Sequence, residues 1–330
     1  MVPSAHDLAT AFAATRRLTV RTPLLESPAL AESTRAARVF VKAECLQRAG
    51  SFKIRGATWR LMQLSEAERA RGVVAYSSGN FAQGLAAAGK AAGVPVTIVM
   101  PHDAPEMKRR ATEGFGARVV LSHHGDRPRE EVASALAREL SQTEGLALLH
   151  PFDDPAIVAG QAAVGLEAQE QLSEAGAVAD LVLCPVGGGG LIGGLSLAFH
   201  YAGQGTRVIA VEPEGYDGMG RSAAAGVVTR VASGQRTICD ALQATAPGAA
   251  PFEAARAAGV TGLAVRDAEV GRAMRVAFEG LKLVTEPSGA VGLAALLSGQ
   301  IDVVGKCVLV VASGGNIALD DFARLTAGTV

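Results

Sequence analysis

The feature that most constrains this chain is an alternation that begins at Gly72, in which short apolar, β-branched runs are each followed by an alanine-rich stretch of helical length. "GVVAY" (72–76) precedes a predicted helix from Phe81 to Gly93, "VPVTIVM" (94–100) one from Pro105, and "ARVVLS" (117–122) one from Pro128 to Ser141. After "LALLH" and Pro151 the series resumes with a long helix over Ala159 to Ala175. "DLVLCPV", a helix from Leu191, "RVIAVE" and "KCVLVVAS" follow, then a helix from Ala318. A parallel neighbour can be reached only through a crossover, so strand–helix–strand repetition implies parallel sheets with helices on their faces. Strands in such sheets are buried on both sides and read as continuous apolar runs, as these do. The expected fold class is therefore α/β, with two domains, each a parallel or mostly parallel sheet flanked by helices. The spacing places a small inserted α/β domain at 72–146 within a larger discontinuous one, 1–71 plus 147–330. A chain of 330 residues has room for two cores, and the cleft between them is the natural ligand site.

Charge narrows the partners. A formal net charge of -1 gives no basic field to attract nucleic acid or an anionic membrane surface, so the expected partner is a small molecule. Leu181 to Gly205 contains no charged residue over a length that could span a bilayer. Pro185 and the glycines 187–190 exclude a membrane helix, because they would leave backbone groups unpaired in lipid. Cys45, Cys184, Cys239 and Cys307 form no CxxC pair, which argues against a zinc knuckle or a disulfide framework; each sits in or beside an apolar run and reads as a small buried hydrophobe. "MVPSAHDLATAFAATRRLTV" lacks the apolar core of a secretory leader, so a cytoplasmic location is expected.

"CPVGGGGLIGG" follows a strand and opens a helix. Backbone amides at such a helix start favour an anion, most simply a phosphate, and four consecutive glycines permit close approach. Gly188, Gly190 and Gly193 also satisfy GxGxxG, with Glu212 ending the next strand near where a ribose-binding acid would stand, so the loop alone leaves a dinucleotide reading open. "AYSSG" has Ala75 where a nucleophile elbow needs glycine, which speaks against a serine hydrolase.

Three further stretches break the tie: Lys53 in "AGSFKIRGA", the strand-to-helix turn "SSGNFAQG" from Ser77, and "SGGN" from Ser313. Together with "HPFDDPAIVAGQ" from His150, the tetraglycine loop, "VEPEG" from Val211 and "EPSGAVGLAALL" from Glu286, they make the chain resemble the serine/threonine dehydratase and serine racemase group of pyridoxal-phosphate enzymes. That group has the fold of the tryptophan synthase β subunit. The likeness runs nearly end to end.

The resemblance implies pyridoxal 5'-phosphate in the interdomain cleft, joined as a Schiff base to Lys53. A lysine beside Phe52 in a dry cleft can lose its proton near neutral pH and act as a nucleophile. Phe52 would lie against the pyridine ring, the amides of Gly187, Gly188, Gly189 and Gly190 would hold the phosphate, Asn80 would donate to the ring hydroxyl, and Ser313 would face the ring nitrogen. The amides of Ser77, Ser78, Gly79, Asn80 and Phe81 would bind the substrate carboxylate. Ser78 stands where racemases of the group place a serine that delivers a proton from the opposite face; Phe81 replaces the histidine that frequently follows the asparagine.

The expected activity is β-elimination from a β-hydroxy amino acid, by default L-threonine or L-serine, giving a 2-oxo acid and ammonia. Serine racemase, 3-hydroxyaspartate ammonia-lyase, a β-replacement enzyme and a non-catalytic amino-acid binding module remain as rival readings. A homodimer without a C-terminal regulatory domain is expected.

Several residues read two ways. Arg129, in "RPREEV", aligns with an arginine that in some relatives lies near the active site, where it would pair with a second substrate carboxylate; otherwise it is a charge at a helix start. Glu212 with the main-chain carbonyl of Tyr216 begins the loop that in many relatives binds Mg2+ or a monovalent cation, yet Gly218 stands where a second acid is wanted. His123 and His124, just past a strand end, read as solvated loop residues, since adjacent side chains point in different directions.

Overall fold

The structure is a computed structural model and describes residues 1–125, 127 and 129–327. Pro128, where the sequence puts a helix start, and Val330 lie outside them. Among the described residues the strands are β1 (Leu24–Glu26), β2 (Arg38–Ala43), β3 (Val73–Tyr76), β4 (Val96–Pro101), β5 (Arg118–Ser122), β6 (Ala147–Leu148), β7 (Leu181–Pro185), β8 (Arg207–Pro213), β9 (Thr261–Val265) and β10 (Cys307–Ala312). They form two sheets, six-stranded in the order β1-β2-β10-β7-β8-β9 and four-stranded in the order β5-β4-β3-β6. Every pairing is parallel except β1 with β2, which is antiparallel.

The central strand of the larger sheet shows why these runs are so apolar. β10 is flanked on one side by β2, with Val308 opposite Val39, and on the other by β7, with Val308 opposite Leu181. Val308 to Ala312 are fully buried, because helices cover both faces of the sheet. The charge-free stretch from Leu181 divides into β7, a glycine turn and the helix Gly190–Ala202; no helix among the described residues is long and apolar enough to cross a membrane.

Packing does not respect the chain positions at which the strand pattern divides the chain. β6 lies beyond residue 146 yet pairs with β3 in the four-stranded sheet. Ile54, Ala57, Leu61 and Leu64, ahead of residue 72, share one apolar cluster with Val73, Leu85 and Ile98 of that sheet and its helix. The predicted long helix over Ala159 to Ala175 is described as two segments, Pro155–Gln161 and Ala163–Glu174, meeting at Ala162, whose backbone stays helical.

The helix Lys53–Met62 is fixed by two devices that explain "KIRGA". Gly56 crosses Gly160 of the segment Pro155–Gln161 so closely that a Cβ on Gly160 would lie 2.7 Å from the Gly56 Cα, and one on Gly56 would meet Gln161 at 2.5 Å. Arg55 is fully buried and ion-paired to two carboxylates: its guanidinium donates to Glu44 (2.7 and 2.8 Å) and to Glu167 (2.8 and 3.1 Å). Lys42 completes the cluster, donating to Glu167 (2.6 Å), Gln171 (2.7 Å) and the Thr22 carbonyl (2.8 Å). Two cations facing two anions leave no net buried charge, the condition under which such a cluster is tolerated. Arg55 stands two residues after Lys53, so the network anchors the helix start that carries the lysine.

Candidate active site

One crevice between the sheets brings together Phe52, Lys53, Asn80, Gly187 to Gly190 and Ser313. Four elements supply them. Lys53 opens the helix Lys53–Met62, Asn80 opens the helix Asn80–Ala92 after β3, the glycines lie between β7 and the helix Gly190–Ala202, and Ser313 follows β10. In parallel sheets the strand ends that precede helices all point to one edge, which is why residues so distant in sequence converge.

The Lys53 amine donates to the Pro151 carbonyl (3.3 Å) and lies 5.2 Å from the ring centre of Phe52 and 5.8 Å from that of Phe81. Burial pulls its pKa from 10.5 down to about 8, against the opposing attraction of Glu286. The amine is thus substantially neutral in mildly alkaline water, as a nucleophile must be.

Two helix starts face this amine without a capping side chain. Gly189 caps the helix Gly190–Ala202 with φ +95°, and Gly79 caps the helix Asn80–Ala92; neither end has a side-chain cap. First-turn amides at such ends are anion donors. The glycine cradle admits no side chain at its centre: a Cβ on Gly188 would sit 2.3 Å from the Phe152 ring, and one on Gly187 3.0 Å from the Ala241 carbonyl. In the other turn, the Ser77 hydroxyl accepts from the Gly79 amide (3.3 Å), and Ser78 is half-buried beside it. Phe81 turns its ring into the core of the four-stranded sheet, where it is 2% exposed, so what it offers a ligand is its amide.

The side chain of Asn80 is held at both ends. Its Nδ2 donates to Glu286 Oε1, and its Oδ1 accepts from Asn316 Nδ2 (2.8 Å), which also donates to the Ala49 carbonyl (2.9 Å). Glu286 is buried, and its second carboxylate oxygen has no hydrogen-bond partner. Burial, reinforced by nearby Asp240, pushes its pKa up to about 7, against Asn80, Lys108 and Lys53. Sequence reading quoted Glu286 only as the head of a motif and gave it no role. A Glu before a Pro reads as a helix start; that Glu286 reaches back to Asn80 is visible only in three dimensions. Lys108 and Asp240 were missed entirely. Lys108, on the helix Glu106–Gly114 beside the small sheet, pairs across the crevice with Asp240, whose neighbours Ala241 and Leu242 line it.

Other expected site residues lie elsewhere. Arg129 is about half-exposed and pairs with Asp103 (3.1 Å), the surface arrangement rather than the substrate-facing one. Both oxygens of Glu212 accept from amides, of Met219 and Gly220 (2.8 Å each), and burial pushes its pKa up to about 8 despite them. Tyr216 is buried and donates its hydroxyl to the Gln235 carbonyl. Asp217 gives one oxygen to Arg221 and buries the other without a partner, both oxygens of Glu212 are taken by amides, and Gly218 supplies no second acid. That donor set does not fit a hard cation. His123 and His124 both pack against His102, with ring centres 4.9 Å away in each case, so they are not independent solvated side chains.

Residues 16–314 match the family described as pyridoxal-phosphate dependent enzymes. The chain belongs to that family. It is 40% identical over 320 residues to L-threonine ammonia-lyase of Thermotoga maritima, an alignment covering 97% of this chain and 77% of that one. It is 37% identical to L-threo-3-hydroxyaspartate ammonia-lyase of Saccharomyces cerevisiae, with 99% and 98% covered. The structure of maize serine racemase superposes with a TM-score of 0.90 at 32% identity, covering 98% and 97%. For a pyridoxal-phosphate dependent enzyme the crevice has fitting parts: an amine of lowered pKa, a glycine turn at a helix start without a side-chain cap, a buried hydroxyl at Ser313 and an unsatisfied carboxylate oxygen at Glu286. The four cysteines are free and buried, which suits structural packing.

Proposed function

We propose that this chain is a pyridoxal-phosphate ammonia-lyase that eliminates water from a β-hydroxy amino acid, L-threonine or L-serine, to give the 2-oxo acid and ammonia. The observation that carries the reading is the buried amine of Lys53, its pKa lowered by desolvation, set between two uncapped helix starts, one for a phosphate and one for a carboxylate. Relatives named as threonine and hydroxyaspartate ammonia-lyases point the same way.

Bound pyridoxal phosphate supplies an electron sink for the charge left at the substrate Cα when its proton departs. Lys53 would hold the cofactor, and its amine, once freed, would take the substrate Cα proton as general base. The Gly187 to Gly190 amides hold the phosphate. The Ser77 to Phe81 turn orients the substrate carboxylate, and with it the scissile bonds. Ser313 meets the ring nitrogen with a hydroxyl rather than an acid. A hydroxyl there would leave the ring nitrogen of a bound cofactor largely unprotonated, which would favour loss of the β-hydroxyl over transamination. The β-hydroxyl leaves as water, taking up the proton that Lys53 removed from Cα; the enamine released tautomerises to an imine, which takes up water and yields ammonia and the 2-oxo acid.

Arg129 is engaged by Asp103, so this reading prefers threonine and serine to 3-hydroxyaspartate. The test is a panel of L-threonine, L-serine and both 3-hydroxyaspartate diastereomers scored for ammonia and for the identity of the oxo acid, with Lys53→Ala as control. Ammonia release from no member of the panel sinks the proposal. Ser78 supports a second reading as a racemase, and formation of D-serine from L-serine, abolished in Ser78→Ala while elimination persists, is its signature.

A further inference from the structure

The crevice does not absorb a second cluster of chemistry-bearing side chains, at the end of the four-stranded sheet. His102 and Asp103 follow β4, and His123 and His124 follow β5; the two turns are joined by the His102 amide donating to the Ser122 carbonyl (3.0 Å). One ligating atom from each of His102, Asp103 and His124 can be chosen so that all lie within 4.8 Å of one another.

The tautomer of His124 is decided by its neighbour. Nδ1 lies 2.8 Å from the Gly125 carbonyl, which can only accept, so Nδ1 carries the proton and the neutral ring presents its lone pair at Nε2. That Nε2 is buried without a hydrogen-bond partner and faces Asp103 Oδ1 at 3.5 Å. A lone pair aimed at a carboxylate is repulsive unless a proton or a metal ion lies between them. His102 stands on the open side, its ring centre 4.9 Å from that of His124, and His123 stacks on it at 26°. The same oxygen, Asp103 Oδ1, is also paired with Arg129 (3.1 Å), which fixes the carboxylate and leaves Oδ2 free to rotate toward an ion.

We propose that His102, Asp103 and His124 form a binding site for a zinc-class transition-metal ion, distinct from the cofactor crevice. Two imidazoles and one carboxylate select zinc, cobalt, nickel or copper over magnesium and calcium, which take oxygen donors. Ligand atoms around a tetrahedral ion stand about 3.3 Å apart at the usual bond lengths. The His124–Asp103 separation already meets that spacing, and exposed His102 closes the rest by side-chain rotation. Three protein ligands leave a fourth position for water. The ion would join the turns after β4 and β5, at the same edge of the sheet as the Ser77 to Asn80 turn after β3. It would therefore stiffen one wall of the mouth.

The test uses holoenzyme dialysed against a chelator, titrated with Zn2+ by calorimetry and with Co2+ by visible absorption. Expected are one equivalent bound, the d–d bands of tetrahedral cobalt, and a rise in the unfolding midpoint of about 4 °C at a hundredfold excess over Kd. His124→Ala and Asp103→Asn abolish the cobalt bands, and the double variant His102→Ala/His124→Ala weakens zinc by more than the about 10–100-fold that outer-shell changes cost. Circular dichroism verifies that each variant is folded. Two results overturn the site: dialysed wild-type protein that takes up no zinc, in which case a proton on His124 alone answers Asp103, or a double variant that binds zinc as tightly as wild type. Neither depends on turnover, so the outcome is independent of the proposed lyase activity.

Discussion

Replacing Gly188 by alanine isolates what the tetraglycine loop contributes. A Cβ there would lie 2.3 Å from two atoms of the Phe152 ring and 2.4 Å from a third, whereas ordinary carbon contacts begin near about 3.5 Å, so ring and loop must part by about 1 Å. Phe152 has little room to yield: its ring packs edge-on against His150 (4.6 Å), and its amide donates to His150 Nδ1 (3.3 Å). Overpacking of this kind costs about 1–3 kcal/mol, and the loop relieves it by turning an amide away from the phosphate. A lost hydrogen bond to a charged acceptor costs ~1.5–3 kcal/mol, so Gly188→Ala should bind pyridoxal phosphate about ten- to a hundredfold more weakly. The measurement is an equilibrium titration of apoprotein with pyridoxal phosphate, followed by absorbance, beside a Gly280→Ala control. Gly280 lies in the helix Asp267–Leu281, and a Cβ there meets nothing within 4 Å. Its substitution should leave affinity unchanged and stabilise the helix by about 0.5–1 kcal/mol. Wild-type affinity in folded Gly188→Ala would mean that these amides do not hold the phosphate.

Capture of pyridoxal phosphate by the apoprotein should accelerate roughly tenfold per pH unit below about 8 and level off above it, because only the neutral Lys53 amine reacts. Glu286 raises the Lys53 pKa, so Glu286→Gln should move that stopped-flow profile to lower pH; a shift to higher pH would show that the carboxylate acts some other way. Arg55→Met leaves Glu44 and Glu167 with Lys42 alone in a buried site and should destabilise the fold by about 3–5 kcal/mol in urea titration. A loss below about 1 kcal/mol would mean that water enters and answers the stranded carboxylates.

The alternating apolar runs and the tetraglycine loop needed no tertiary information, since hydrophobic period and glycine spacing are local properties that act in every context. They suffice for parallel sheets and for an anion-binding helix start; the cofactor class is what the family resemblance implies, carried by Lys53 together with the other motifs. Three matters had to wait for the fold. Arg55 carries no assignable role in the sequence; packing makes it an anchor, with Glu44 and Glu167 closing on it. Glu286 and Asn80, 206 residues apart in sequence, act on one another because the helices they begin meet at the crevice. His124 reads in the sequence as a solvated loop residue and His102 carries no signal; neighbouring parallel strands end side by side, and that geometry brings two imidazoles and a carboxylate within 4.8 Å of one another.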